Sequence, residues 1–188
     1  MVKSLRTTSA LSVFRRTPAV LAVFLLAVVA SVGTSPGADE RRPDLGTCQR
    51  LAAPAETKIA LHVYAEGVQI YRWNGTAWAF VAPEALLFAD SEGHGTVGTH
   101  YAGPTWESNS GSKVVGTVLD RCTPNPDAIP WLLLDAVSNA GPGIFQRVTH
   151  IQRLNTVGGL VPTEPGDVPG EEMRVPYTAD YVFYRDQD

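Results

Sequence analysis

From residue 58 onward the chain consists of short apolar runs separated by turn residues. In 58–64, Ile59, Leu61 and Val63 alternate with other residues, the period-two pattern of a strand that buries one face. A second run, 68–73, follows Glu66-Gly67, and Asn74-Gly75 then separates Tyr71-Arg72-Trp73 from Thr76-Ala77-Trp78. Asn-Gly supplies the positive φ that both central residues of a type I′ turn require, so a two-residue hairpin is expected. Further runs at 96–101, 113–119, 130–138 and 174–184 are rich in Val, Thr, Tyr, Leu and Trp, and Gly103-Pro104, Ser110-Gly111 and Gly141-Pro142-Gly143 punctuate them. This spacing predicts an all-β domain, a single antiparallel β-sandwich or barrel-like fold with little helix.

Three stretches are less regular. In 144–155, Phe145, Val148, Ile151 and Leu154 recur every three residues as in a helix, yet the β-branched content and Gly-rich flanks favour a strand. Residues 83–88 begin with Pro and suggest a single helical turn. The three prolines of 161–173 mark a long surface loop.

The N-terminus follows a different pattern. Lys3, Arg6, Arg15 and Arg16 precede an uncharged apolar run of fourteen residues, 19–32, closed by Gly33. That run is short for a bilayer span and suits a cleaved secretory signal over 1–33, with no membrane span left after cleavage. Arg15-Arg16 lacks the remainder of a twin-arginine motif. Residues 34–55 mix Pro, Gly, Ala and charges as a linker would, tied down at Cys48, and 56–188 form the domain.

Composition then narrows the function. The whole chain carries a formal net charge of −4, and because the signal holds four basic and no acidic residues, the remainder carries −8. With no basic patch, a nucleic-acid partner is not expected. Cys48 and Cys122 are the two cysteines. In an oxidising compartment they are expected to pair, with two free thiols as the alternative.

Several segments resemble one family. They are Gly67-Val68-Gln69-Ile70-Tyr71, Ala82-Pro83-Glu84-Ala85, the run His100-Tyr101-Ala102-Gly103-Pro104-Thr105-Trp106-Glu107, and Ile129-Pro130-Trp131-Leu132-Leu133-Leu134. Ile151-Gln152-Arg153 with Thr156, Gly158 and Gly159, and Pro176-Tyr177-Thr178-Ala179, complete the set. Together they are similar to a family of secreted proteins of unknown function from bacteria and filamentous fungi, some fungal members of which carry the label malate dehydrogenase. The resemblance implies no established activity. It also implies a pair of cysteines at two places that here hold Trp73 and Gly166.

Candidate chemistry falls into four groups. Gly93-His94-Gly95-Thr96-Val97-Gly98 fits G-x-G-x-x-G, but Gly103-Pro104 follows too soon for the helix that a dinucleotide site needs, so no nucleotide cofactor is expected. His94, His100 and Glu107, with Asp90 and Glu92 nearby, offer a metal or acid/base centre around His100, although their spacing matches no standard metal motif. Tyr71, Trp73 and Trp78 offer aromatic faces to a ligand such as a glycan or cell-wall component, while aromatic residues on strands more often fill a core. Glu84, Glu107, Asp120 and Asp135 are the carboxylates available for a glycosidase-type pair, and no nucleophile elbow is present. Asn74-Gly75-Thr76 is also a glycosylation sequon, which the turn alone explains.

The resulting expectation is a secreted, non-catalytic binding or cell-envelope module without a cofactor. The competing expectations are a small secreted enzyme centred on His100, with or without a metal, and a purely structural protein that docks a partner through a sheet edge or the aromatic hairpin.

Overall fold

The computed structural model describes residues 42–187, so the expected signal lies outside the described residues. Alternation along the chain is realised as eight strands: β1 Thr57–Trp73, β2 Trp78–Phe88, β3 Thr96–Tyr101, β4 Thr105–Ser108, β5 Lys113–Cys122, β6 Trp131–Ala140, β7 His150–Gly158 and β8 Glu172–Asp186. Each pairs antiparallel with its sequence neighbour, and β1 pairs with β8 to close the barrel. An eight-stranded barrel is just wide enough inside to be filled by side chains or to hold one small ligand.

β1 is continuous where the sequence suggests two runs. Glu66-Gly67 is no turn, because Gly67 pairs with Ala85 on one side and Tyr177 on the other. A Cβ built there would lie 2.1 Å from the Glu84 carbonyl oxygen and 2.5 Å from Ala85 Cα, so the neighbouring backbone comes too close for any side chain. Gly67→Ala is therefore expected to lower stability by about 2–3 kcal/mol through overpacking. Urea unfolding tests this, and an unchanged midpoint would show that β2 yields freely.

The barrel interior divides into two parts. Toward one end it is filled by Val63, Leu87, Val114, Leu134, Ile151 and Phe183. The segment 141–149 plugs this end with Phe145, whose ring centroid lies 4.7 Å from that of Phe183. Asn139 Nδ2 donates to the Phe145 and Val148 carbonyls, and Phe145 N–H donates to Ser112 Oγ, which fixes the plug. Toward the other end the walls are aromatic and polar, and space remains.

Several expectations need correction. The three-residue spacing of Phe145 and Val148 belongs to the turns of the plug, and β7 starts only at His150. Pro83–Phe88 is strand, and Pro83 is tolerated because β3 pairs with β2 only from Ala85, which leaves residue 83 on an edge that needs no donor. The hairpin after β1 forms, but its loop spans Asn74 to Ala77 and Asn74 does not take positive φ. Asn74 Oδ1 instead accepts the N–H groups of Thr76 and Ala77, which stabilises the longer loop.

Residues 42–55, the described part of the expected linker tied at Cys48, pack along the outer face of β6, β7 and β8. Leu45 and Ala53 join Leu154, Val182 and Tyr184 in one cluster, and Cys48 and Leu51 join Leu133 in another. The Gln152 amide bridges the two layers. It donates to the Leu51 carbonyl at 2.6 Å and accepts from the Tyr184 hydroxyl at 2.6 Å, so this buried side chain is satisfied. Cys48 and Cys122 are joined in a disulfide that ties the segment to the end of β5.

Candidate functional site

The shortness of the β3–β4 hairpin creates an opening in the barrel wall. β2 pairs with β3 only from Ala85 to Phe88, and β5 pairs with β4 only from Lys113 to Val115. Residues 78–84 of β2 and 117–122 of β5 therefore have a strand partner on one side alone. These edges and the hairpin tip Gly103-Pro104 frame a cavity of about 450 Å³ that reaches into the barrel, a size ordinary for small-molecule sites. Its rim is apolar and wet, since Phe80, Val81 and Val118 are 55%, 42% and 39% exposed.

Inside, period-two alternation on each strand selects the lining. β1 contributes Gln69 and Tyr71, β3 His100, β4 Trp106, β7 Arg153 and β8 Tyr181, while Ile129 and Pro130 come from the loop before β6. Five of the six segments that carry the family resemblance thus converge here. His100 lies flat on Trp106, with ring centroids 4.4 Å apart and planes 10° apart, and Tyr181 meets both rings edge-on. Edge-to-face and offset-stacked contacts of this kind hold aromatic walls rigid.

His100 is buried, and its Nδ1 bonds the Thr105 carbonyl at 2.9 Å, which makes Nδ1–H the donor and leaves Nε2 as an unprotonated acceptor. Burial, aided by the Arg153 charge, pushes its pKa down to about 3, against the opposing pull of the Thr105 bond. The imidazole is therefore neutral at physiological pH and a weak base. Burial raises the phenols of Tyr181, Tyr177 and Tyr71, and in each case the Arg153 charge pulls the other way. Arg153 itself is anchored by Nε and Nη2 bonds of 3.1 and 2.8 Å to the Pro130 carbonyl. The Tyr71 hydroxyl donates to the Gly159 carbonyl at 2.7 Å. Two buried donors of the cavity lining, Gln69 Nε2 and Trp106 Nε1, have no hydrogen-bond partner among the described residues.

The other candidates go elsewhere. Glu107 does not join His100, because it pairs with Thr99 on β3, one residue out of phase, and so projects from the opposite face. There it accepts from Tyr101 at 2.8 Å and lies 3.1 Å from Lys113, contacts that hold its pKa below the usual carboxylate range. His94 sits in an exposed loop with Asp90 at 3.2 Å, and Glu92 completes an exposed cluster of acidic residues and imidazole. The G-x-G-x-x-G segment is the turn from this loop into β3. Glu84, Asp120 and Asp135 each face a separate cation or histidine, namely Arg174, Arg50 and His150.

Of the aromatic row, only Tyr71 lines the cavity. Trp73 and Trp78 pair with each other across the β1–β2 end, 5.5 Å between centroids. The loop before β8 folds over them, with the Trp78 indole donating to the Glu164 carbonyl at 2.7 Å. A Cβ on Gly166 would come within 2.8 Å of Trp73 Cβ, so the two places implied as a cysteine pair are in contact, occupied here by a tryptophan packed on a glycine.

Gln69, Arg153 and Tyr181 carry the polar chemistry of the cavity but do not stand out as site residues in the sequence. The available signal is positional. Gln69 shares a strand face with Tyr71, and Arg153 follows the core residue Ile151 by two positions, so both polar groups fall on the inward face.

No curated protein and no solved structure matches the chain significantly. Residues 54–185, which include the whole cavity lining and all eight strands but for the last residue of β8, match the family described as Protein of unknown function (DUF3455), and the chain belongs to that family.

Proposed function

We propose that this domain is an exported, non-catalytic binding module that holds a small, largely apolar molecule in the lateral cavity of its barrel. The observation that carries the reading is the cavity's construction. An aromatic interior wall opens to solvent through an apolar rim, with a few polar groups converging inside, and this combination marks small-molecule sites. Export is supported by the N-terminal signal pattern and by the disulfide, which fits an oxidising compartment. An enzymatic reading centred on His100 is weaker, since the imidazole is a poor base and neither His94 nor Glu107 reaches it.

Naphthalene-2-carboxamide, a neutral flat probe, is expected to bind saturably and to change the emission of Trp106, the indole in the cavity wall. Leu132→Trp, which puts bulk into the cavity, should abolish that response while leaving a cooperative thermal transition. No saturable binding of this probe, of its carboxylate analogue or of decanoate to the wild-type protein, by fluorescence or calorimetry, would overturn the reading.

A further inference from the structure

The cavity lining is electrostatically one-sided. In a chain whose formal net charge is −4, the charged residues on the cavity wall are two arginines, Arg121 at the mouth and Arg153 inside, with no carboxylate among them. Neither arginine forms an ion pair among the described residues. Arg153 spends two N–H groups on the Pro130 carbonyl, which fixes the guanidinium in place, and of the three donors left over one faces the Tyr181 hydroxyl. The unpartnered Gln69 Nε2 and Trp106 Nε1 belong to side chains 3% and 1% exposed, so each bears the desolvation penalty of a buried donor without a bond. An acceptor-rich, negatively charged group would answer all of these donors at once. A neutral amide or alcohol brings fewer acceptor sites and no charge.

We propose that the ligand is an amphiphilic monoanion, an apolar body carrying a carboxylate-type head, and that Arg153, assisted by Arg121 at the mouth, selects the head. This rests on the cavity being a ligand site. The body lies along the aromatic and aliphatic wall formed by Trp106, Tyr181, Leu132 and Leu134. The head takes the free guanidinium donors, with Gln69 and Trp106 as supplementary donors. Hydrogen bonds to a charged partner are stronger than neutral ones, and a site whose donors await an acceptor discriminates against ligands that lack it.

The experiment compares naphthalene-2-carboxylate with naphthalene-2-carboxamide by titration calorimetry on the full folded domain at neutral pH, with decanoate as a third probe. The acid is expected to bind about tenfold more tightly than the amide, the difference a charge-assisted contact supplies, and its advantage should shrink as salt is raised. In Arg153→Met the acid should lose its advantage while amide affinity stays within about threefold. Arg121→Met, at an exposed mouth residue, should give a smaller loss and serves if Arg153→Met fails to fold. Decanoate above or below the naphthoate tells a fatty-acid-like body from an aromatic one, and acid preference in either series supports the head assignment. Equal affinity of acid and amide for the wild-type protein overturns this inference and leaves the cavity reading intact. Binding of none of the probes overturns both.

Discussion

Acidification from neutral pH to about pH 3 is expected to remove about 4 kcal/mol of folding stability through His100 alone, and His100→Gln is expected to lose that part of the acid dependence. The sign follows from linkage. In the unfolded chain the imidazole titrates at its ordinary value of 6.5, whereas in the barrel burial holds it at about 3. Below 6.5 the unfolded state binds a proton that the folded state refuses, so stability is full above the unfolded value and falls as pH drops toward the folded one. Each unit between the two values corresponds to about 1.4 kcal/mol. The surroundings offer the proton no compensation, because the groups facing the ring are Trp106, Tyr181 and the Thr105 carbonyl, and the charge that acts on it is the guanidinium of Arg153.

The depressed carboxylates of Asp90 and Glu107 act in the same direction, since they lose favourable partners as pH falls through their folded values. Only the difference between wild-type and variant isolates His100. Gln keeps an amide N–H that can donate to the Thr105 carbonyl but has no ionisation in this range. Urea unfolding at a series of pH values measures the two slopes, and parallel profiles would mean that the imidazole gains a proton partner, such as a bound water, that the barrel geometry does not display.

How much of this is legible in the sequence depends on the range of each interaction. Strand alternation at Ile59, Leu61 and Val63 is local, and it correctly yields an antiparallel all-β domain. Closure of the barrel is not local. It needs β1 to pair along nearly its whole length with β8, more than a hundred residues away, and no periodicity encodes that. Gly67 illustrates the difficulty, because beside Glu66 it looks like a turn, whereas its role is to let Glu84 and Ala85 approach. The candidate site is legible in part for the same reason. His100 and Tyr71 are recognisable as special residues, and strand parity even predicts that Glu107 faces away from His100 once β4 is known. But β4 has only four residues and escapes a pattern search. Arg153 reads as one more surface charge until its strand is placed, when parity turns it inward. The three-residue period of Phe145 and Val148 misleads because a plug of turns at a barrel end can mimic one face of a helix over that short distance.

Opening the disulfide is the second large effect. Cys48 and Cys122 are 74 residues apart, and in the chain-entropy view a cross-link closing a loop of that length stabilises by about 4 kcal/mol. The native state has reason to keep that gain, because Cys48 is fully buried against Leu51 and Leu133 and the segment it anchors covers the outward faces of Leu154, Val182 and Tyr184. Cys48→Ala/Cys122→Ala is therefore expected to unfold at much lower urea than the wild-type protein, and reductant should move the wild-type curve toward that of the variant. The segment also has non-covalent ties. Arg42 donates to the carbonyls of Ala53 and Pro54, Arg50 donates to the Arg121 carbonyl, and Gln152 holds Leu51. These bonds are local to the outer face, so the variant should still close its barrel and still bind a cavity probe at low urea. Proteolysis should then cut first within 42–56, where loss of the cross-link frees the strap without opening the sheet. An unfolding midpoint that ignores both the double substitution and reductant would show that packing of Leu45, Leu51 and Ala53 alone secures the segment and that the unfolded chain gains nothing from release of the loop.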